Sequence, residues 1–470
     1  MSFNSSDFLI FFPIVVLIYF LIPQKLKNYW LLIASYYFYM CWNAKYALII
    51  LFSTIVTYLS GLALDTLQQR SADPLIMRKK KIVVSISVLL NLSLLFYFKY
   101  INFAIGILGN ALSVFHIQLN LPSVDILLPV GISFYTFQAL GYTIDVYRGN
   151  TCAEKNFFQY ALFVSFFPQL VAGPIERSSH LLQQLATPHK FNSDEAKSGL
   201  LLMLWGFFLK IVLADRIAIF VDWVYGDYHT FGGWYLIVAT ALFAIQIYCD
   251  FAGYSIIAMG AAQILGIRLM ENFQSPYLAV SVADFWRRWH ISLSSWFKEY
   301  VYIPLGGNRC KIAKQIRNIL VVWMLTGIWH GANWTYIAWG SMQGLLVIWD
   351  NLGIVGVKGS NEKTPAKWYI PRWLGWIFTF GFFNLSLIFF GSSSMTSAIQ
   401  LFKNIFAFKN TGYLFKLAAN LDIPEFYLIK QVLTLKFPDM LQYAYVVLFL
   451  LLLIISTVVI SRKNTLQMVA

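Results

Sequence analysis

Charged residues are scarce in this sequence. Asp, Glu, Lys and Arg make up 12% of its 470 residues, about half of the ~25% found in typical soluble domains. A soluble fold needs polar side chains to cover its surface, yet here 59% of residues are hydrophobic, 18% are aromatic and the mean hydropathy is +0.64. That excludes an ordinary cytosolic enzyme and makes lipid the solvent for most of the chain. Long polar intervals are missing too: apolar segments recur from Phe8 to Ile460 with no room between them for a separate soluble domain. The expectation is a single integral membrane domain over 1–470.

The four cysteines, Cys41, Cys152, Cys249 and Cys310, form no CxxC pair and no Cys/His spacing of a zinc site, so neither a disulfide framework nor a metal is expected. The sequence also lacks a GxxxxGKS/T run, a GxSxG elbow and an HExxH helix. Nucleotide hydrolysis, serine-esterase and zinc-protease chemistry are therefore without support. Acidic residues are outnumbered, 21 against 35 Lys and Arg, for a net charge of +14. Such an excess raises nucleic acid as a partner. The basic residues, however, stand in short clusters between apolar spans: Arg78–Lys81, Arg287-Arg288, Arg309 to Arg317, and Arg462-Lys463. Cytoplasmic loops of membrane proteins collect Lys and Arg in this way, so no nucleic-acid partner is expected.

What the sequence has in abundance is runs long enough to cross a bilayer, which takes about 20 apolar residues. Such segments lie near 8–23, 29–43, 46–65, 82–108, 126–145, 157–172, 198–222, 234–265, 317–350, 373–391 and 441–460. This predicts an all-α, polytopic membrane protein with about 11 membrane helices, the run 317–350 being two helices broken near Gly331 to Trp334. The N-terminus, Met1 to Asp7, has no basic leader region, so the first run is expected to remain as a spanning helix. If the loop 66–81, with Arg70 and Arg78–Lys81, is cytoplasmic, three preceding spans put the N-terminus outside. The segment 356–372, with Lys358, Lys363 and Lys367, is the most polar loop and is expected to be flexible.

Two segments carry candidate chemistry. In 284–304, Phe285, Trp289, Leu293, Trp296 and Tyr300 share one helical stripe, which reads as an amphipathic interfacial helix. Trp289 and Trp296 are expected to be interfacial anchors. His290 sits beside the stripe, where a titratable imidazole is an odd choice for packing alone. In 325–340, His330 lies within an apolar run, where an ionisable group is costly to leave unpaired. Gly327 and Gly331 allow close backbone approach, and Trp334 falls one turn beyond His330. Spacing supports a functional histidine and a core histidine satisfied by a neighbouring carbonyl equally. For Asp145, Glu176, Asp250 and the group Lys210, Asp215 and Arg216, helix-end ion pairs are expected. The remaining histidines, His116, His180, His189 and His229, are expected in loops.

The run DFWRRWHISLSSWFKEYVYIPLGGNR (284–309), followed by TGIWHGANW (326–334), resembles the membrane-bound O-acyltransferase family, in particular its bacterial branch similar to the alginate O-acetyltransferase membrane subunit. LLPVGISFYTFQALGYTIDVYRG (127–149), FFPQLVAGPIER (166–177) and QIYCDFAGYS (246–255) resemble that branch in the same order. The resemblance implies re-entrant or interfacial helices around a central tunnel and an acyl, usually acetyl, group passed across the inner or plasma membrane. The donor that the resemblance implies is a cytoplasmic thioester, usually acetyl-CoA. The acceptor it implies is a hydroxyl of a cell-envelope polysaccharide, expected to be reached through an extracytoplasmic SGNH-type acyltransferase partner.

His330 then matches the family's essential histidine, as general base or as carrier of a transient acyl-imidazole, and His290 its second polar position. Arg287, Arg288 and Lys298 would attract coenzyme A phosphates, although positive-inside topology accounts for them equally. The alternatives are D-alanyl transfer from a carrier protein to teichoic acid, a transporter using both histidines as a proton relay, and an inactive scaffold that recruits an extracellular acyltransferase.

Overall fold

Residues able to cap a helix set where the apolar runs become helices. The computed structural model describes residues 1–69, 73–117, 124–358 and 366–407, together with Ile455. The expected span 441–460, the Arg462-Lys463 pair, Arg70 and Lys363 lie outside the described residues.

Helix α1 (Ser6–Leu21) starts at Ser5, whose hydroxyl accepts the Phe8 N–H, and α2 (Gln24–Met40) follows Pro23. After α3 (Ala47–Gln68), Asp73 caps α4 (Pro74–Leu95) by accepting the Leu75 N–H at 3.0 Å. Pro74 occupies the first position, where a missing N–H costs nothing. The helix widens into a π turn, Phe96–Tyr100, before continuing as α5 (Ile101–Ser113).

Next come α6 (Ile132–Arg148), α7 (Phe157–Ser165), α8 (Phe167–Leu170), α9 (Ser178–Ala186) and α10 (Ser193–Phe207). A second π turn, Phe208–Ala214, leads to α11 (Asp215–Gly226) and the long α12 (Trp234–Ile264). The chain continues through α13 (Val282–Arg288), α14 (Ile291–Phe297), a third π turn Lys298–Tyr302, α15 (Ile312–His330) and α16 (Trp334–Asn351). Two short parallel strands, β1 (Val355–Val357) and β2 (Trp368–Ile370), bracket the polar segment. The final described helices are α17 (Arg372–Gly391) and α18 (Met395–Ile405).

The chain is an all-α membrane protein. Four stretches are both long and apolar enough to cross a bilayer among the described residues: Ala44–Gln68, Pro74–Ser113, Trp234–Ile264 and Arg372–Gly391. The other expected segments are shorter or more polar, for identifiable reasons. The run 157–172 is interrupted at Phe166, ahead of Pro168. The run 198–222 passes through a π turn around Lys210, and α15 opens with Lys314 and Arg317. The break in 317–350 falls at Gly331 to Asn333, where it was expected. Segment 284–304, by contrast, is not one amphipathic helix but two short helices and a π turn, divided at His290.

Two compact units make up the chain. One comprises Met1–Leu204, Tyr254–Asn272 and Ser292–Gly307. In it α3 packs on α4 and α6, and α7 on α2. Buried polar pairs tie these helices: Tyr160 to Thr57 at 2.7 Å and Ser53 to Asn91 at 2.6 Å.

The other unit comprises Trp205–Gly253, Phe273–Ile291 and the chain from Asn308 onward. Its centre is the antiparallel pair α15 and α16, with α13 and α17 against α16 and α18 against α17. Glycine makes this pair close: a Cβ on Gly327 would meet the carbonyl of Tyr336, and one on Gly340 would lie 2.5 Å from the Trp323 carbonyl.

Candidate active site

Both candidate histidines lie in this second unit, each at a place where a helix stops. Helix α13 ends at Arg288, whose carbonyl accepts the Gln274 N–H at 2.9 Å. Trp289 is extended, and His290 takes a left-handed conformation, φ 45°, before α14 begins. Left-handed backbone costs a non-glycine residue about 1–2 kcal/mol, and His290 bears it while only 2% exposed. Its ring meets Phe251 edge-on at 4.6 Å and Trp329 at 5.9 Å.

His330 is the last helical residue of α15. Gly331 then turns extended, and a Cβ there would run into the Tyr336 ring. Asn333 restarts the helix as the cap of α16, accepting the Thr335 N–H at 3.1 Å. The His330 ring packs between Trp329 at 4.9 Å, Trp339 at 5.0 Å and Phe390 at 5.3 Å. The Trp329 indole thus has both imidazole rings within 6 Å, His290 at 5.9 Å and His330 at 4.9 Å. The arrangement is two basic nitrogen heterocycles, one buried and one half-buried, packed among aromatic rings and suited to accepting and passing on a proton.

Several expectations are corrected by this geometry. Trp334 does not join the His330 pocket: it is 53% exposed, because the helix breaks at Gly331 and the one-turn relation to His330 is lost. Trp339 takes that place. Trp289 and Trp296 are not interfacial anchors but buried residues. Trp289 packs on Phe273 at 5.1 Å and on Phe285 and Phe383 at 5.5 Å. Trp296 stacks on Phe137 at 4.0 Å and donates its Nε1–H to the Phe137 carbonyl at 2.9 Å.

Arg287 and Arg288 both turn to Asp284, at 3.5 and 3.1 Å. Lys298 belongs to the other compact unit, exposed in its π turn. Of the three expected phosphate-binding residues, the two arginines are therefore seen to share a carboxylate.

The ion pairs expected of Lys210, Asp215 and Asp250 form, whereas Asp145 is held by a neutral hydrogen bond. Lys210 sits between Asp215 at 2.8 Å and Asp250 at 2.5 Å. Asp145 accepts the Tyr300 hydroxyl at 2.7 Å. His180, expected in a loop, stands in the first turn of α9 with Nδ1 2.7 Å from buried Glu176, and the hydrogen bond to that carboxylate raises the imidazole's pKa. No cluster of three or more His, Cys, Asp or Glu able to hold a metal ion occurs among the described residues. Phe251, Trp339 and Phe390 escaped sequence reasoning, because each reaches the histidines from a different helix and only tertiary packing brings them there.

The profile of the membrane-bound O-acyltransferase family matches residues 152–394, a segment containing both histidines. The probable alginate O-acetylase AlgI of Pseudomonas aeruginosa is 37% identical over 413 residues, 87% of this chain and 75% of the relative. The peptidoglycan O-acetyltransferase of Helicobacter pylori is 33% identical over 437 residues, 86% and 79% of the two chains. The teichoic acid D-alanyltransferase of Bacillus subtilis is 28% identical over 251 residues, 49% and 61%. By profile, by extent of identity and by its apolar helices, the chain belongs to the membrane-bound O-acyltransferase family and is an O-acyltransferase.

Proposed function

We propose that this enzyme transfers an acetyl group from cytoplasmic acetyl-CoA, across the inner or plasma membrane, to a hydroxyl of a cell-envelope polysaccharide. The observation that carries the reading is the pair His290 and His330, both against the Trp329 ring in a pocket walled by aromatic side chains. The acetyl choice is supported by relatives: the two named for O-acetyl transfer match 86–87% of the chain, the D-alanyltransferase 49%. An extracytoplasmic SGNH-type acyltransferase is the proposed partner that meets the acceptor.

The chemistry asked of the histidines is modest. An imidazole of ordinary pKa, about 6.5, accepts a proton at neutral pH. His330 takes the proton of the attacking hydroxyl as its oxygen bonds to the acetyl carbonyl carbon. The carbon–sulfur bond then breaks, and the departing thiolate leaves as the thiol with that proton. His290 orients the carbonyl or shares the proton. In the variant route, the neutral His330 nitrogen attacks the acetyl carbonyl carbon and the carbon–sulfur bond breaks to expel the thiolate; the hydroxyl oxygen then attacks that carbon, the imidazole leaves, and the hydroxyl proton goes to the thiolate. Arg287 and Arg288 are proposed to draw the phosphates of coenzyme A on releasing Asp284.

General-base assistance is worth about 10²–10⁴ in rate. His330→Ala should lower envelope acetyl ester to the level of a deletion strain, as measured by mass spectrometry of the glycans with membrane levels of the variant matched. Full acetyl ester in that strain contradicts the reading. Label transferred from D-alanine on a carrier protein, with none from acetyl-CoA, would instead establish the teichoic acid alternative.

A further inference from the structure

Beside the histidine pocket lies a buried polar relay that the reaction above does not use. Trp286 on α13 donates its Nε1–H to Gln343 Oε1 on α16 at 3.1 Å. Gln343 Nε2 donates to Ser386 Oγ on α17 at 2.7 Å, and Ser386 donates onward to the Phe383 carbonyl at 2.7 Å. Gln343 is 1% exposed, Ser386 0% and Trp286 7%.

The residue type is specified by its neighbours. An indole N–H can only donate, and the Ser386 hydrogen is already given to a carbonyl. The linking side chain must therefore accept on one side and donate on the other, as a carboxamide does.

Where the relay sits matters more than that it is satisfied. Each of its three members is four residues from a pocket residue: Trp286 from His290, Gln343 from Trp339, and Ser386 from Phe390. On a helix, positions four apart lie on one face a turn away, which holds for the Trp339 and Phe390 steps. Trp339 and Phe390 are the rings that clasp His330, and His290 lies two residues past the end of α13. The Trp286 ring also packs on Trp339 at 5.8 Å and on Trp323 at 4.4 Å. One carboxamide thus fixes the mutual register of the three helices whose next turns form the pocket.

We propose that Gln343 is a positioning residue for acyl transfer, holding α13, α16 and α17 in the register that sets His290 and His330 against the reacting groups. The inference rests on the histidine reading above. A misplacement of about 1 Å remote from the chemistry can cost about 10²-fold in rate, and loss of this tie permits a slip of that order.

The test uses membrane vesicles of the producing strain, which carry the full chain together with its extracytoplasmic partner, with labelled acetyl-CoA as donor and the strain's envelope polysaccharide as acceptor, rates being normalised to immunoblotted protein. Gln343→Met keeps the volume and removes both bonds. Turnover should fall about 10- to 100-fold, with the KM for acetyl-CoA changed less than about threefold and the pH–rate profile displaced, because the rings around the histidines shift. Pairing it with Trp286→Phe removes the stranded donor. The double variant should regain melting temperature while turnover stays low.

Two results overturn the proposal: wild-type turnover in folded Gln343→Met, or turnover that recovers in step with stability in the double variant. His330→Ala run alongside separates the two levels of inference. If it keeps full turnover, the histidine reading fails and this inference with it. If it is inactive while Gln343→Met is not, the positioning role alone is lost.

Discussion

His290 concentrates what the residue scale can say about this site. Only three non-glycine residues among those described have clearly positive φ, and of these His116 is exposed while His290 is buried. A side chain held in a strained backbone well at a helix break points to geometry kept for function. The strain gives a stability test that reverses the usual order. His290→Gly and His290→Ala both remove the imidazole and leave comparable cavities, but glycine adopts φ 45° freely and alanine does not. The glycine variant should therefore be the more stable by about 1 kcal/mol, read as a higher melting temperature in detergent, with acetyl transfer reduced in both. An alanine variant melting at or above the glycine variant shows that the left-handed turn is not imposed there. Both histidines were legible in the sequence because an ionisable group in an apolar run stands out. Their aromatic partners were not, since Phe251, Trp339 and Phe390 belong to three different helices, and Trp334 misled because a one-turn rule holds only along an unbroken helix.

At the scale of elements, the closeness of α15 and α16 decides how His330 meets Trp339. A Cβ on Gly340 would stand 2.5 Å from the Trp323 carbonyl oxygen and 3.0 Å from the Gly327 Cα. Backbone on both sides leaves no flexible side chain to give way, so Gly340→Ala must push the helices apart. Overpacking of this kind costs about 1–3 kcal/mol, and the displacement falls on the seam that His330 and Trp339 share. Gly381 in α17 is the control, because a Cβ there has nothing within 4 Å. Gly381→Ala should leave melting temperature and acetyl transfer unchanged or raise stability slightly, while Gly340→Ala lowers both. Equal behaviour of the two variants would mean that the seam tolerates expansion. Hydropathy located most of these helices, and the break at Gly331 was readable from glycine, asparagine and the length of the run. The three π turns were not, because each widens a helix by one residue without changing its composition. Each nonetheless holds a lysine, Lys99, Lys210 or Lys298.

For the molecule as a whole, the charge pattern and the first compact unit together yield a topology that can be checked with the chain's own thiols. At one end of that unit, Tyr39 donates to the Val130 carbonyl at 3.0 Å and Tyr46 to that of Leu127. Exposed Cys41 lies between these tyrosines in sequence. At the opposite end of α3, Gln68 reaches the Val146 carbonyl, and Tyr58, midway along the helix, donates to the Lys155 carbonyl at 2.7 Å. Those contacts bracket exposed Cys152. The cluster Arg78–Lys81 stands near the start of α4, shortly after Gln68, so positive-inside bias predicts a cytoplasmic Cys152 end and an outer Cys41 end. A membrane-impermeant maleimide applied to intact spheroplasts should label the wild-type protein, lose signal with Cys41→Ser and keep it with Cys152→Ser. Permeabilisation should add signal to Cys41→Ser by exposing Cys152. The opposite pattern would invert the orientation, carrying the basic α4 start and the proposed thioester side to the outer face. Label on both thiols in sealed cells would contradict the separation of the two ends by the length of α3.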